Sequence, residues 1–454
     1  MKRILSLCLA AMLLLGTLVG CAPKEVAPVG NEADISGYDL NDFDQWCEAM
    51  KKLYSGSSVT IAAASHPSTT AFRAISAEFT EKTGIEIVWD EMQEGSLQQK
   101  LLMEGGASAY DVVMTCPEFI PSQVEMGGLL ELDDFINDKS LVPAWFDYED
   151  LMEAYRLMLT YGGKQYAVPF AGETVFLMYR ADVFEELNLT VPETMEQMRQ
   201  TAMELKQLKP DSAGMSMRLQ LGWEFCYMYS CFMFPFGGRF MDPETNKMDM
   251  NSNGNRDALE YINSLLPYGP AGIENYSFEE AWSAFMSGDA LMMVEASAAA
   301  PEIENAEKSV AAGKTGYAKM PAGPAGAYSG VWGWGFGITS SSKNKDAAWA
   351  VIAYLTSKQK QNEYVANGGI VSRASMLMDE GEQAKYPYYS AIIETLEQAA
   401  ALQAQGYGVV LPLPEWAGIS DVVGTVGARA LVGEISVDEA LESMQSQTES
   451  MFAN

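Results

Sequence analysis

SVTIAAASHPSTTAFRAISAEFTEKTGIEIVWDEMQEGSLQQKLLMEGGASAYDVVMT, residues 58–115, decides the fold. Its opening run SVTIAAA is short and mostly apolar, as a buried strand requires. Phe72, Ile75 and Phe79 then recur at helical spacing, and Gly84 supplies a stop. Residues 85–89 (IEIVW) read as a second strand, 96–106 as a second helix ending in glycines, and 110–115 as a third strand. Strand, helix, strand, helix, strand predicts a parallel sheet with crossover helices, because a tight turn cannot join parallel neighbours. In such sheets ligands bind beyond the carboxyl ends of the strands. Those ends fall at residues 65–66, 90–94 and 115–116, which brings forward His66 and Glu94.

Toward the N-terminus, Lys2 and Arg3 precede an apolar run over 4–15, followed by LVGC at 18–21. A charged start, a short apolar core and small residues at the end read as an export signal, too short to span a membrane. LVGC resembles a bacterial lipobox, with cleavage after residue 20 and lipid on the Cys21 sulfur. Residues 21–37 hold few large apolar groups and read as a flexible tether. Over 38–54, Leu40, Phe43, Cys47, Met50 and Tyr54 share one helical face. Lipid at Cys21 would hold the protein on the outer face of the membrane.

Downstream, 164–180 contains two extended stretches broken at Pro169 and Gly172. Residues 278–289 place Phe278, Ala281, Trp282 and Phe285 on one helical face, and 290–295 (ALMMVE) follows as a buried strand. A Pro/Gly-rich loop leads into SGVWGWGFGIT, 329–339, where Trp332, Trp334, Phe336 and Ile338 alternate with glycines. In a strand that pattern gives one face of large apolar groups and one of bare backbone, suited to close approach by another segment. Residues 345–357 read as a helix, and Ser436 with Glu439 has capping-box spacing for a last one. The chain has 454 residues, enough for two domains, and a formal charge of −32. That charge excludes a nucleic-acid binder, which needs clustered cations, and docking on anionic lipid through a basic patch. Cys47, Cys116, Cys226 and Cys231 lack metal-type spacing and read as buried thiols, although Cys226 and Cys231 are close enough in sequence to pair in an oxidising compartment.

The order of these pieces resembles the family 1 extracellular solute-binding proteins, lipoproteins that capture sugars for bacterial ABC importers. The matching segments are the lipobox, Thr83-Gly84-Ile85, 96–113, GGLLELDDFI (127–136), 163–189, FMSGDALMMVE (285–295), 323–357 and NGGIVSRAS (367–375). Together they cover roughly residues 58–444. The resemblance implies an α/β, two-lobed periplasmic-binding-protein fold of type II, maltodextrin-binding-protein-like, with a hinge and an inter-lobe cleft. It places hinge crossings near 169–172, 295–297 and 357–359. Lobe 1 is then 55–170 with 298–357, and lobe 2 is 171–297 with 358–454. The implied partners are a mono- or oligosaccharide and ABC permease subunits, with the protein a monomer. No cofactor, metal or catalytic group is implied.

On that frame one of Trp332 and Trp334 is expected to reach ligand and the other to pack below it. Sugars offer flat C–H faces to aromatic rings. Trp223 follows Gly222 where a helix could open, and Trp416 lies between prolines and a glycine, loop-borne at the cleft rim. Glu173, just after the first crossing, can accept bonds from hydroxyls. Glu295 ends a buried strand where the family often has Gly-Trp shortly beyond, so an aromatic platform is expected to be missing. Arg373 matches a family Arg near the cleft; its fork suits hydroxyls, a carboxylate or a phosphate.

An enzyme is the rival class. His66 is the only histidine, no G-x-S-x-G accompanies it, and a zinc site built on several histidines is excluded by count. A glycosidase needs only two acids, which composition does not test. Among binders, a polyamine would favour an acidic cleft and a glycerol phosphate type of solute would favour Arg373. Aromatic and mixed polar candidates favour a sugar.

Overall fold

The computed structural model describes residues 33–138 and 143–452. The signal segment, Cys21 and most of the tether lie outside the described residues. The central sheet is built from β1 (Ser58–Ala64), β2 (Glu86–Met92), β3 (Val112–Thr115), β4 (Val168–Arg180), β5 (Met292–Ala296), β6 (Thr315–Ala318) and β7 (Val331–Ile338). Among the described residues its order is β6-β4-β7-β3-β1-β2, with β5 also paired to β4. β1 runs parallel to both β2 and β3, as the alternation of 58–115 requires. The intervening helices are Pro67–Thr83, stopped by Gly84 at φ 68°, and Glu94–Glu104.

β4 is one continuous strand of 13 residues, not two stretches. Pro169 does not break it because β7 slips register there: Trp334 pairs with Ala171 and Gly335 with Pro169, leaving Phe170 as the extra residue. A proline beside a bulge leaves no ladder hydrogen bond unmade. Gly172 serves close approach, since a Cβ there would overlap the buried ring of Tyr155. The glycines of β7 do the same. A Cβ on Gly333 would stand 2.6 Å from the Ala171 carbonyl oxygen, and one on Gly335 would stand 2.9 Å from that of Val168.

The first half of β4 pairs with β7, and its second half pairs with β5 and β6. It therefore passes from one lobe into the other. The first lobe carries β1–β3 and β7, covered by Pro67–Thr83 and Lys345–Leu355. The N-terminal helix starts at Phe43 because Asp42 caps it, accepting from Gln45 N. It packs on Pro67–Thr83, with Trp46 buried and Phe43 against Trp145 and Tyr354. The second lobe is largely helical: Trp223–Met233, Asn253–Leu265, Trp416–Leu431 and Val437–Ser450 pack on one another. The last of these opens on the capping box of Ser436 and Glu439.

Two expected crossings lie elsewhere. After residues 295–297 the chain stays with the second lobe: Val310 N donates to Met286 O, Ala322 N to Glu193 O, and β6 pairs with β4. It returns only where β7 begins. After 357–359 it stays with the first lobe, where Lys360 pairs with Glu78, Gln361–Ala366 packs on Pro67–Thr83, and Arg373 is held by 146–147. Helix Tyr389–Gln403 is the next element on the second half of β4, so that crossing falls between them. Strand ends are visible in sequence, but the sheet partner that holds each segment is not. Cys226 and Cys231 lie on one helix and are free and buried, as are Cys47 and Cys116.

Gly172→Ala tests the close approach at β4. It should lower unfolding stability by about 1–3 kcal/mol through overpacking against Tyr155, read from the urea midpoint at unchanged slope.

Candidate ligand-binding cleft

A narrow cavity lies between the lobes at the carboxyl ends of β1 and β2. From the first lobe and the shared strand come Ser65, His66, Glu94, Glu173, Trp332 and Trp334. Arg218, Trp223, Tyr227, Phe278 and Trp282 close the other side. Glu94, Trp223 and Phe278 also line a more open, polar hollow that forms its mouth with Gln98, Gln220 and Glu224.

His66 is the N-cap of Pro67–Thr83, where its Nδ1 accepts from Ser68 N at 3.2 Å. That bond reserves Nδ1 as the acceptor and leaves Nε2 to carry the proton. Nε2 lies 3.6 Å from Glu173 Oε1, an oxygen that is buried without a hydrogen-bond partner among the described residues. Glu173 pairs across the sheet with Trp332. Both tryptophans of β7 line the cavity, so neither lies beneath the other. Trp332 stacks tilted on Trp223 at 4.7 Å, and Trp334 faces His66 at 6.0 Å. Trp223 opens its helix directly after Gly222, whose φ of 95° favours glycine.

Arg218 was not legible as a site residue. It is a lone cation in the apolar run GMSMRLQLGW. Ser216 bridges in parallel to Met293, which carries Arg218 alongside Glu295. Arg218 Nε donates to both Glu295 oxygens at 3.0 and 2.8 Å, Nη2 donates to Glu295 as well, and Nη1 reaches Glu224 at 3.0 Å. The guanidinium also lies over the Tyr227 ring at 4.9 Å. Burial works against its charge, but Glu295 and then Glu224 override this and hold its pKa well above the ordinary value. Glu295 is thus fully buried behind the wall and does not line it; its task is to fix Arg218. The platform expected to be missing beyond Glu295 comes instead from Phe278 and Trp282, which pack at 5.1 Å on the preceding helix. Their spacing had marked them only as a core face. The buried Trp282 Nε1 has no acceptor among the described residues.

Glu94 opens its helix and accepts from Gln98 Nε2 at 3.1 Å. Burial, then the charges of Glu224 and Glu173, outweigh Arg218 and push its carboxyl up to about 7. Glu224 is raised as well, by burial first.

Besides Glu295, two expected contacts are absent from this cavity. Trp416 is the first residue of helix Trp416–Leu431, not loop-borne, and is buried edge-on against Phe240 at 5.0 Å. The helix starts at the tryptophan itself, which turns the ring into the second lobe's core. Arg373 is 0% exposed and donates to the carbonyls of Asp147, Phe146 and Thr356 at 2.6, 2.8 and 2.6 Å, with Asp150 at 3.5 Å. Its fork ties two segments within the first lobe. Burial lowers its pKa to about 10 against the pull of Asp150.

The cleft therefore combines aromatic walls with carboxylate acceptors, one neutralised guanidinium and an indole donor. Such a set holds a molecule that offers both C–H faces and hydroxyls.

Residues 63–362 match the model of the bacterial extracellular solute-binding protein family, and the chain belongs to that family. It is 29% identical to the mannitol-binding protein of Pseudomonas aeruginosa over 423 residues, 88% of this chain and 95% of that protein. An ABC transporter solute-binding protein of Agrobacterium radiobacter K84, solved in complex with ribitol, superposes with a TM-score of 0.80 at 26% identity, over 87% of this chain and 99% of that one. The maltose-bound MalE3 of T. maritima shares the two-lobed fold, with a TM-score of 0.77 at 21% identity over 87% of this chain and all of that one.

Glu295→Ala leaves Arg218 buried with only Glu224, and should cost about 3–5 kcal/mol of stability, measured by denaturant unfolding. Glu94 has its pKa raised on folding, so the native state binds the extra proton between about 4.5 and 7. Stability should fall as pH rises through that window, and Glu94→Gln should remove about 2 kcal/mol of the fall, seen by comparing melting curves at pH 5 and pH 8.

Proposed function

We propose that this protein captures a small, neutral polyhydroxy solute, a polyol or sugar, between its lobes and delivers it to an ABC importer. The observation that carries the reading is a pair of buried, unpartnered polar atoms on one aromatic-walled cavity: Glu173 Oε1, an acceptor, and Trp282 Nε1, a donor. A hydroxyl satisfies either. Trp332, Trp334 and Trp223 pack on the C–H faces, Glu94 and Glu173 accept from hydroxyls, and the free N–H groups of Arg218 donate. Relatives that bind mannitol and ribitol support this class of solute. Solute contacts made only when the lobes meet favour the closed form, and capture involves no bond making or breaking. Cys21 carries the lipid that keeps the protein on the outer face of the cell membrane, and the tether leads from it to the first lobe.

Polyamine capture is the second reading, favoured by the acids Glu94, Glu173 and Glu224 around the cleft. Arg218 in the same wall opposes a dication.

Titration of the lipid-free protein with ribitol, mannitol, tagatose, maltose and putrescine, followed by tryptophan fluorescence and calorimetry, tests both. Saturable binding of a polyol or monosaccharide is expected, with maltose and putrescine weaker. Trp332→Ala and Trp334→Ala should each weaken it by about 10–100-fold, the loss of one buried aromatic face. Tight binding of putrescine alone would overturn the sugar reading.

A further inference from the structure

Glu118 lies beyond the carboxyl end of β3, in the first lobe, and outside the cavity. It is 4% exposed. Ser420, on helix Trp416–Leu431 of the second lobe, donates to its Oε1 at 2.9 Å, while its Oε2 has no partner among the described residues. This is a contact between lobes, about 300 residues apart in sequence. The titratable groups that face it are Glu94 from helix Glu94–Glu104, Cys116 from its own turn, and Cys226 from helix Trp223–Met233. Among the described residues no Lys, Arg or His acts on it. An ionised carboxylate is poorly accommodated there, because one serine hydroxyl cannot replace the water it loses.

We infer that Glu118 and Ser420 form an inter-lobe latch that closes more favourably when Glu118 is protonated, so that solute capture takes up a proton. When the lobes separate, water reaches Glu118 and the carboxyl ionises near its ordinary value. When they meet, Ser420 donates to Oε1 and the neutral carboxyl is buried. Consistent with this geometry, burial and then the charge of Glu94 outweigh the Ser420 bond and push Glu118 up to about 8. The raised group binds its proton in the closed form across the interval between about 4.5 and 8, so closure strengthens as pH falls through it. Glu118 touches no solute and acts as a positioning residue. The inference rests on closure being the capture step.

Calorimetric titration of ribitol and mannitol at pH 6.5 and 8.5, in buffers of different ionisation enthalpy, reads the linkage directly. Wild-type affinity should be at least about tenfold weaker at pH 8.5, with net proton uptake near pH 7. Glu118→Gln keeps the shape and the serine bond but cannot ionise. It should bind more tightly than wild type at pH 8.5 and retain less than about a fivefold pH effect, the share left to Glu94. An affinity constant between the two pH values, or an unchanged profile in Glu118→Gln, overturns the latch. Small-angle scattering without solute separates this from failure of the functional reading. The radius of gyration should be smaller at pH 6.5 than at pH 8.5 in wild type, and that difference should shrink in Glu118→Gln to the share left to Glu94. If neither polyol binds, absence of that difference overturns the latch by itself.

Discussion

A single strand, β4, is hydrogen-bonded into both lobes, and the rest of the architecture follows from where its partners change. β7 leaves off at Thr174, and β5 takes over at Val175. At that junction Thr174 N donates to Ser297 Oγ at 3.2 Å, and Thr395 Oγ1 donates to Thr174 Oγ1 at 3.0 Å. Short hydroxyl side chains can exchange partners with little rearrangement, which suits a pivot better than interlocked apolar groups would. Glu173 is one residue before the junction, in a strand that neither lobe can move alone. It is thus the fixed point against which the other walls converge.

The two arginines expected or found near the cleft show how surroundings decide a role. Arg373 has backbone carbonyls for partners and ties two segments, at 146–147 and at 356, by three acceptors that would otherwise be left unmet. Arg218 has two carboxylates, one fully buried, so its orientation is set and its charge is more than neutralised before any solute arrives. A guanidinium in that state offers oriented donors without a net field that would attract phosphate. This distinguishes it from the forks of typical anion sites.

The parallel sheet of 58–115 and the capping box at Ser436 are local patterns, and they were legible for that reason. So were the positions of His66 and Glu94 on the cavity, which follow from the rule that ligands gather at strand ends. Arg218 and Trp282 were hidden. One is brought to the cleft by a bridge to Met293, and the other has the same helical spacing as an ordinary core face. Trp416 and Arg373 misled for the converse reason. Sequence shows that a residue is large or charged, but pairing and packing across hundreds of residues decide whether it faces the cleft. The tryptophans of β7 share a parity, and the sharing itself carried more than the expectation drawn from it. Both face the cavity.

The cleft walls do not attract one another without help. Glu94 on the first lobe faces Glu224 on the second, whose charge raises the cost of ionising Glu94 more than Arg218 relieves it. Apolar contact, such as Trp332 on Trp223, favours closure but also brings these acids together. The neutral polyhydroxy solute proposed above would resolve the conflict: with its hydroxyl protons between the carboxylates, repulsion across the gap would become two hydrogen bonds to one molecule. A solute of this kind therefore has the differential affinity for the closed form that a shift in population requires. An anion would add to the repulsion, and an apolar molecule would leave the carboxylates dehydrated and unpaired. On the proposed function, selectivity for a neutral, hydroxyl-rich solute would thus arise from the energetics of closure as much as from the fit of the cavity.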